Sequence, residues 1–244
     1  MPTRPTDETN SGKRLVWDWP LRLFHWVLAG AVITAWVSGR FGGFDYLTVH
    51  ERAGYIVFGA ILFRLIWGVV GTRYSQFREW SLTPRNIIKA CGDLVKRGGA
   101  QAVGHSSLGA LSTLALLIAV TAQAVTGLVM TDDIFFEGPW RSAVPSDVAD
   151  TLSFIHHRCQ NVVAALVVLH LSAIAFYKFR KGHRLVGPMI HGQKSAEVVE
   201  ANGAIAGSRS LVGIIVIAIS TALAWYLLFE MPALFGAEEE TFYY

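Results

Sequence analysis

The sequence predicts an all-α integral membrane protein with five transmembrane helices, and three observations lead there. Five stretches, roughly 22–40, 52–71, 107–130, 156–177 and 210–230, are apolar over about the 18 residues or more that a membrane span needs. Hydrophobic residues make up 52% of the chain and charged residues only 16%, a balance more apolar than a soluble domain requires. The Lys and Arg residues gather in alternate connections, as the topology rule for membrane proteins demands.

The N-terminal arm to Arg22 carries four basic residues, the 72–104 connection six, and the 178–209 connection six. The connections near 40–53 and 131–158 hold two each, and the C-terminal tail holds none. In a five-span arrangement 16 of the 21 basic residues therefore share one side. Basic connections stay cytoplasmic. The expected placement is a bacterial inner membrane, with the N-terminus cytoplasmic and the C-terminus periplasmic. Asp132, Asp133, Glu137, Asp147, Asp150 and the tail residues Glu238, Glu239 and Glu240 then face outward.

Taken in order, residues 1–21 read as a polar cytoplasmic arm. Its basic end runs into an apolar stretch too long and too aromatic for a cleaved signal peptide. The first four spans fall within 22–180. The acidic 131–150 connection, with Pro139 and Pro145, has room for a short interfacial helix. The stretch 181–209 reads as a cytoplasmic linker, 210–230 as the fifth span and 231–244 as a periplasmic acidic tail. Trp19, Trp36, Trp67, Trp140 and Trp225 lie near the expected interfaces, where the amphipathic indole is favoured. Cys91 and Cys159 are far apart, and no C-x-x-C-H occurs, so covalently attached haem is not indicated. No internal repeat is visible.

Five of the eight histidines, His25, His50, His156, His157 and His170, sit in or at the ends of spans, where ionisable residues are costly and usually functional. His156 and His170 are 14 residues apart. That is nearly four turns, so both share one helix face, roughly 21 Å apart along the axis. His157 is turned roughly 140° away from that face. With the orientation applied, His25 and His170 lie at the inner level, and His50 and His156 at the outer level. A histidine that merely packs against a neighbouring helix has no reason to respect such pairing. Two facing imidazoles at one depth are what a six-coordinate haem iron requires.

Other positions agree. Arg64 is 14 residues after His50, on the same face at the inner level, where an anionic haem propionate justifies its charge. Arg22 is one turn before His25. Gly39 is 14 residues after His25, and Gly109 and Gly127 are 18 apart on one face of span three. Small residues let a porphyrin or another backbone approach closely.

The segments V-W-D-W-P-L-R-L-F-H-W (16–26), H-E-R-A-G-Y (50–55), F-R-L-I-W-G-V-V-G-T-R (63–73), G-H-S-S-L-G-A (104–110) and the I-H and V-V-L-H pair within 155–170 resemble the prokaryotic cytochrome b561 family. That family includes the b-type cytochrome subunits of membrane nickel–iron hydrogenases. The resemblance runs over roughly 15–195. It implies a four-helix transmembrane bundle holding two haem b groups, ligated by His25, His50, His156 and His170, with His105 near the inner haem or a quinone. The fifth span, the acidic tail and the His157–Arg158 pair depart from the family pattern.

With both axial positions filled, such iron suits electron transfer rather than oxygen or substrate binding. The expected role is an electron-transfer subunit of a quinone-linked oxidoreductase. Quinone or quinol would exchange electrons near Arg22, Arg64 and His105. A periplasmic redox protein, such as a c-type cytochrome or a hydrogenase-like subunit, would meet the acidic outer surface. Membrane lipid is the surrounding partner and nucleic acid is not expected. The competing readings are a stand-alone superoxide or metal oxidoreductase, a proton-relaying transporter, and a passive anchor. Neither broken helices nor a repeat supports a transporter, and an anchor has no need of paired histidines.

Overall fold

The computed structural model describes residues 12–43, 46–96, 98–131 and 136–236. Asp132, Asp133, Arg97, most of the N-terminal arm and the tail glutamates lie outside the described residues.

Among the described residues, five helices are long and apolar enough to cross a membrane. Helix α1 (Trp19–Phe41) and α2 (Leu47–Val70) form an antiparallel pair. A short helix α3 (Pro84–Val95) precedes α4 (Ser107–Gly127), which packs on α2 and on α5 (Ser146–Lys181). A one-and-a-half-turn helix, α6 (Val186–His191), leads toward α7 (Ser210–Trp225). A π-helical turn (Tyr226–Glu230) joins α7 to α8 (Met231–Gly236). Helix α7 lies against α2 and α1, so the fifth span flanks the first pair. Gly213 sits where a Cβ would press on Pro20 Cγ at 2.6 Å, which lets the start of α7 approach the start of α1.

Local chemistry sets the helix ends. Asp18 caps α1, its Oδ1 accepting from Leu21 N at 2.8 Å, with Pro20 in the first turn. Ser106 caps α4 through Gly109 N at 3.1 Å. Helix α5 ends in Lys178, Arg180 and Lys181, followed by Gly182 in the left-handed conformation at φ 74°.

The structure differs from the expectation in several places. Helix α5 begins at Ser146, ten residues before the apolar stretch, because the mixed segment 146–155, interrupted by Asp147 and Asp150, continues the helix outside the apolar window. Its 36 residues span about 54 Å, well beyond a hydrocarbon core of about 30 Å. Among the described residues, the connection before it holds a 3₁₀ turn at Arg141–Ala143 and no separate interfacial helix. Helix α3 is absent from the expectation, because its basic residues dominate the reading of that connection. Trp67 is wholly buried and donates to Asp18 Oδ1 at 3.1 Å, so it is a core residue and not an interfacial anchor.

The 181–209 stretch, read as a linker, is folded onto the N-terminal end of the bundle. Strand β1 (Lys13–Leu15) pairs antiparallel with β2 (Gln193–Ser195), placing Arg14 opposite Lys194. Val16 N and Trp17 N donate to Gly192 O, Ile205 N to Leu15 O, and Tyr74 Oη to Gly203 O. Val199 is fully buried in a cluster with Val16, Trp17, Leu21, Phe63 and Trp67. A second apolar cluster, Ala31, Val57, Ile61, Ala119, Val120 and Val163, fills the middle of the four-helix bundle.

Candidate functional site

Two levels of histidine flank that central layer. At the end opposite the N-terminus, His50 stands in the first turn of α2 and His156 about three turns into α5. Their ring centroids are 6.1 Å apart and their planes are inclined at 82°. His50 Nδ1 lies 2.7 Å from Ala35 O, and His156 Nδ1 lies 3.0 Å from Gln123 O. A carbonyl can only accept, so each Nδ1 carries the proton and each Nε2 presents a lone pair. The Gln123 amide, 3.1 Å from His156 Nε2, donates to that lone pair. Glycines clear the space around both rings. A Cβ at Gly39 would stand 2.7 Å from His50 Nδ1, and one at Gly127 would stand 2.9 Å from His156 Cε1.

His50 and His156 would hold a haem iron through their Nε2 lone pairs, His156 once the Gln123 amide gives up its hydrogen bond. A backbone carbonyl holding the opposite nitrogen is the usual support for a ligating histidine. His157 is exposed and outside this pair, its ring centroid 6.3 Å from that of His156.

At the N-terminal end, His25 on α1 and His170 on α5 lie within electrostatic range of each other. His25 Nδ1 is enclosed and has no hydrogen-bond partner among the described residues. His105, in the turn before α4, is within range of His170, Arg64 and Lys194. Its ring packs against Trp17 at 4.9 Å and Trp80 at 5.7 Å, and its Nδ1 is enclosed without a partner among the described residues. Burial first, then the Arg64 and Lys194 charges, lower His105 to about 4, so it is a neutral imidazole at neutral pH. Arg64 is 2% exposed, with its guanidinium 4.4 Å from the centre of the Phe77 ring. Arg22 bonds Ile190 O, tying the start of α1 to α6. Burial also lowers the Lys194 ammonium, to about 8.

The structure thus brings His50 to His156, brings His25 and His170 within range, and gathers Arg64 with His105. Sequence reasoning missed Asp18, Gln123 and Lys194. Asp18 had a local signal, an acidic residue just ahead of Pro20 at a helix start. Gln123, an amide inside an apolar span, had a weaker one. Lys194 had none, since its burial depends on the long-range β1–β2 pairing.

Comparison with known proteins adds two findings. The family model of prokaryotic cytochrome b561 matches residues 16–192. A probable Ni/Fe-hydrogenase B-type cytochrome subunit from Azotobacter chroococcum mcd 1 is 23% identical over 209 residues, covering 72% of this chain and 86% of that relative. Five membrane-length helices, facing histidines and a match over most of the length agree, and the chain belongs to the prokaryotic cytochrome b561 family, a family of membrane electron-transfer proteins that hold haem b.

Proposed function

We propose that this chain is a di-haem cytochrome b that carries electrons across the bacterial inner membrane, between the quinone pool and a redox protein on the periplasmic side. His25 and His170 hold one haem at the cytoplasmic level, and His50 and His156 hold the other at the periplasmic level. The observation that carries the reading is the pair His50 and His156, 6.1 Å apart with both Nδ1 atoms on backbone carbonyls. The second pair, His25 on α1 and His170 on α5, within electrostatic range of each other, extends it.

Held by these histidines, haem b would supply reversible one-electron chemistry. The protein's part is orientation, exclusion and charge. The carbonyls of Ala35 and Gln123 fix the tautomers, and Gly39 and Gly127 leave room for the rings. The central apolar cluster keeps water out of the space between the two levels. Arg64 puts a positive charge at the cytoplasmic level, which favours the reduced form there. Arg22, Arg64 and His105 line the end where quinone or quinol exchanges electrons.

On the other side, Glu137, Asp147 and Asp150 are exposed and suit a basic docking face. The hydrogenase cytochrome subunit among its relatives supports a dedicated partner of that kind, a hydrogenase-like subunit or a c-type cytochrome. The charge asymmetry of the connections supports the orientation. The test is the visible spectrum of the purified protein, oxidised and dithionite-reduced, with haem counted against chain. Two low-spin b-type haems per chain are expected, and fewer than two would refute the di-haem reading.

A further inference from the structure

The fifth span ends in a break that touches both sides of the site formed by His50 and His156. In the π-helical turn Tyr226–Glu230 the Met231 amide donates to Tyr226 O, five residues back. Residue 232 is proline and has no N–H to give. Neither 231 nor 232 therefore serves Leu227 O. The Trp140 indole takes that place, its Nε1 donating to Leu227 O at 2.8 Å. Trp140 is tied in turn to the end of α4. Its backbone N donates to Leu128 O at 2.8 Å, and Gly138 N donates to Met130 O at 2.8 Å. The two arms run so close that a Cβ at Gly138 would stand 2.4 Å from Leu128 O. Leu128 follows Gly127, the residue against the His156 ring. From the same turn, the Phe229 ring meets Tyr55 edge to face, with centroids 5.5 Å apart. The Tyr55 hydroxyl donates to Glu51 Oε1 at 2.5 Å, and Glu51 adjoins His50. Leu228, between the two contacts in sequence, is 3% exposed.

We propose that the π-helical turn of the fifth span positions the haem ligands of this level, with Trp140 as the positioning residue. Trp140 holds the end of α4, and with it Gly127, against His156. The Phe229–Tyr55 contact steadies the start of α2 at His50. A carbonyl without a donor is costly inside a membrane protein, so the turn and the connection that carries Trp140 are coupled: each loses its partner if the other moves. A helix that only fills a place in the membrane needs neither the break nor an indole on the freed carbonyl. The turn lies beyond residues 16–192, which the family model matches, so this support comes from the C-terminal part of the chain. The proposal rests on the di-haem reading.

The test uses the full-length holoprotein, wild type against Trp140→Phe, Pro232→Ala and the double variant. Trp140→Phe keeps a ring and removes the donor. Pro232→Ala supplies an N–H within the helix that competes for Leu227 O. Amide exchange reads the connection independently of haem. The amides of Gly138 and residue 140 are expected to exchange about fivefold faster in either variant, as loss of one hydrogen bond implies. The low-spin EPR signal of the ferric haem that is missing in His50→Ala reads the ligands. Its anisotropy is greatest when the imidazole planes are perpendicular, and the rings of His50 and His156 are inclined at 82°. That anisotropy is expected to fall in either variant, while the signal of the other haem stays unchanged. The double variant should match the single ones, because both substitutions break the same bond. Faster exchange with an unchanged EPR signal overturns the positioning role and leaves the fifth span an anchor. Equal changes in both haems, additive effects in the double variant, or unchanged exchange in Trp140→Phe overturn it as well. A wild type with fewer than two haems overturns the di-haem reading together with the proposal, whereas two haems indifferent to Trp140→Phe overturn the proposal alone.

Discussion

At Gly39 a hydrogen occupies the place where any other residue would drive a carbon to within 2.7 Å of the His50 ring. Real Cβ contacts do not come so close, and the ring cannot retreat without giving up Ala35 O. Gly39→Ala is therefore expected to weaken the haem at this level at least several-fold, and to leave the haem of His25 and His170 in place. Haem content and the reduced spectrum measure it, and a variant with unaltered spectrum and occupancy would show that His50 is not held as described. The position was partly legible in the sequence. The spacing of 14 residues from His25 puts Gly39 on the correct stripe, but its neighbour His50 emerges only when α1 and α2 pair. For the same reason the spacing argument separates His156 from His157, whereas Gln123 needs the α4–α5 contact to be seen.

Among the elements, the α1–α2 pair is fastened at its N-terminal end by one residue. Asp18 caps α1, accepts the Trp67 indole from the last turn of α2, and takes the hydroxyls of Thr72 and Ser75 just beyond it. Asp18→Ala strands these donors in a buried setting, at a cost of roughly 2–5 kcal/mol. A lower melting temperature is expected in detergent. The haem proposed at His25 and His170 should be lost before the one proposed at His50 and His156 on heating, since His50 and His156 lie at the far end of the bundle. Simultaneous loss of both at the wild-type temperature would argue that Asp18 does not fasten this end. Elements whose order is local, the apolar spans and the capped helix starts, are readable from composition and period. The early start of α5 is hidden, because Asp147, Asp150 and Thr151 fail a hydropathy test while remaining compatible with helix. The folded 193–205 stretch is hidden because polar residues are held there by partners more than a hundred positions away, as Tyr74 holds Gly203.

For the whole molecule, the basic connections and the folded 193–205 stretch gather at one end, and exposed acidic residues at the other. An alkaline phosphatase fusion after Tyr244 should be active if that acidic end faces the periplasm, whereas an inactive fusion would reverse the orientation or remove the fifth crossing. The central claim is that four histidines act as two pairs at two depths, separated by about 21 Å along α5. The most direct measurement is the haem content and redox titration of His25→Ala, His50→Ala, His156→Ala, His157→Ala and His170→Ala, side by side. The account predicts that His25→Ala and His170→Ala lose the same spectral component, that His50→Ala and His156→Ala lose the other, and that His157→Ala keeps both. Loss of one component by His25→Ala together with His50→Ala, or loss of a haem by His157→Ala while His156→Ala retains both, would contradict it.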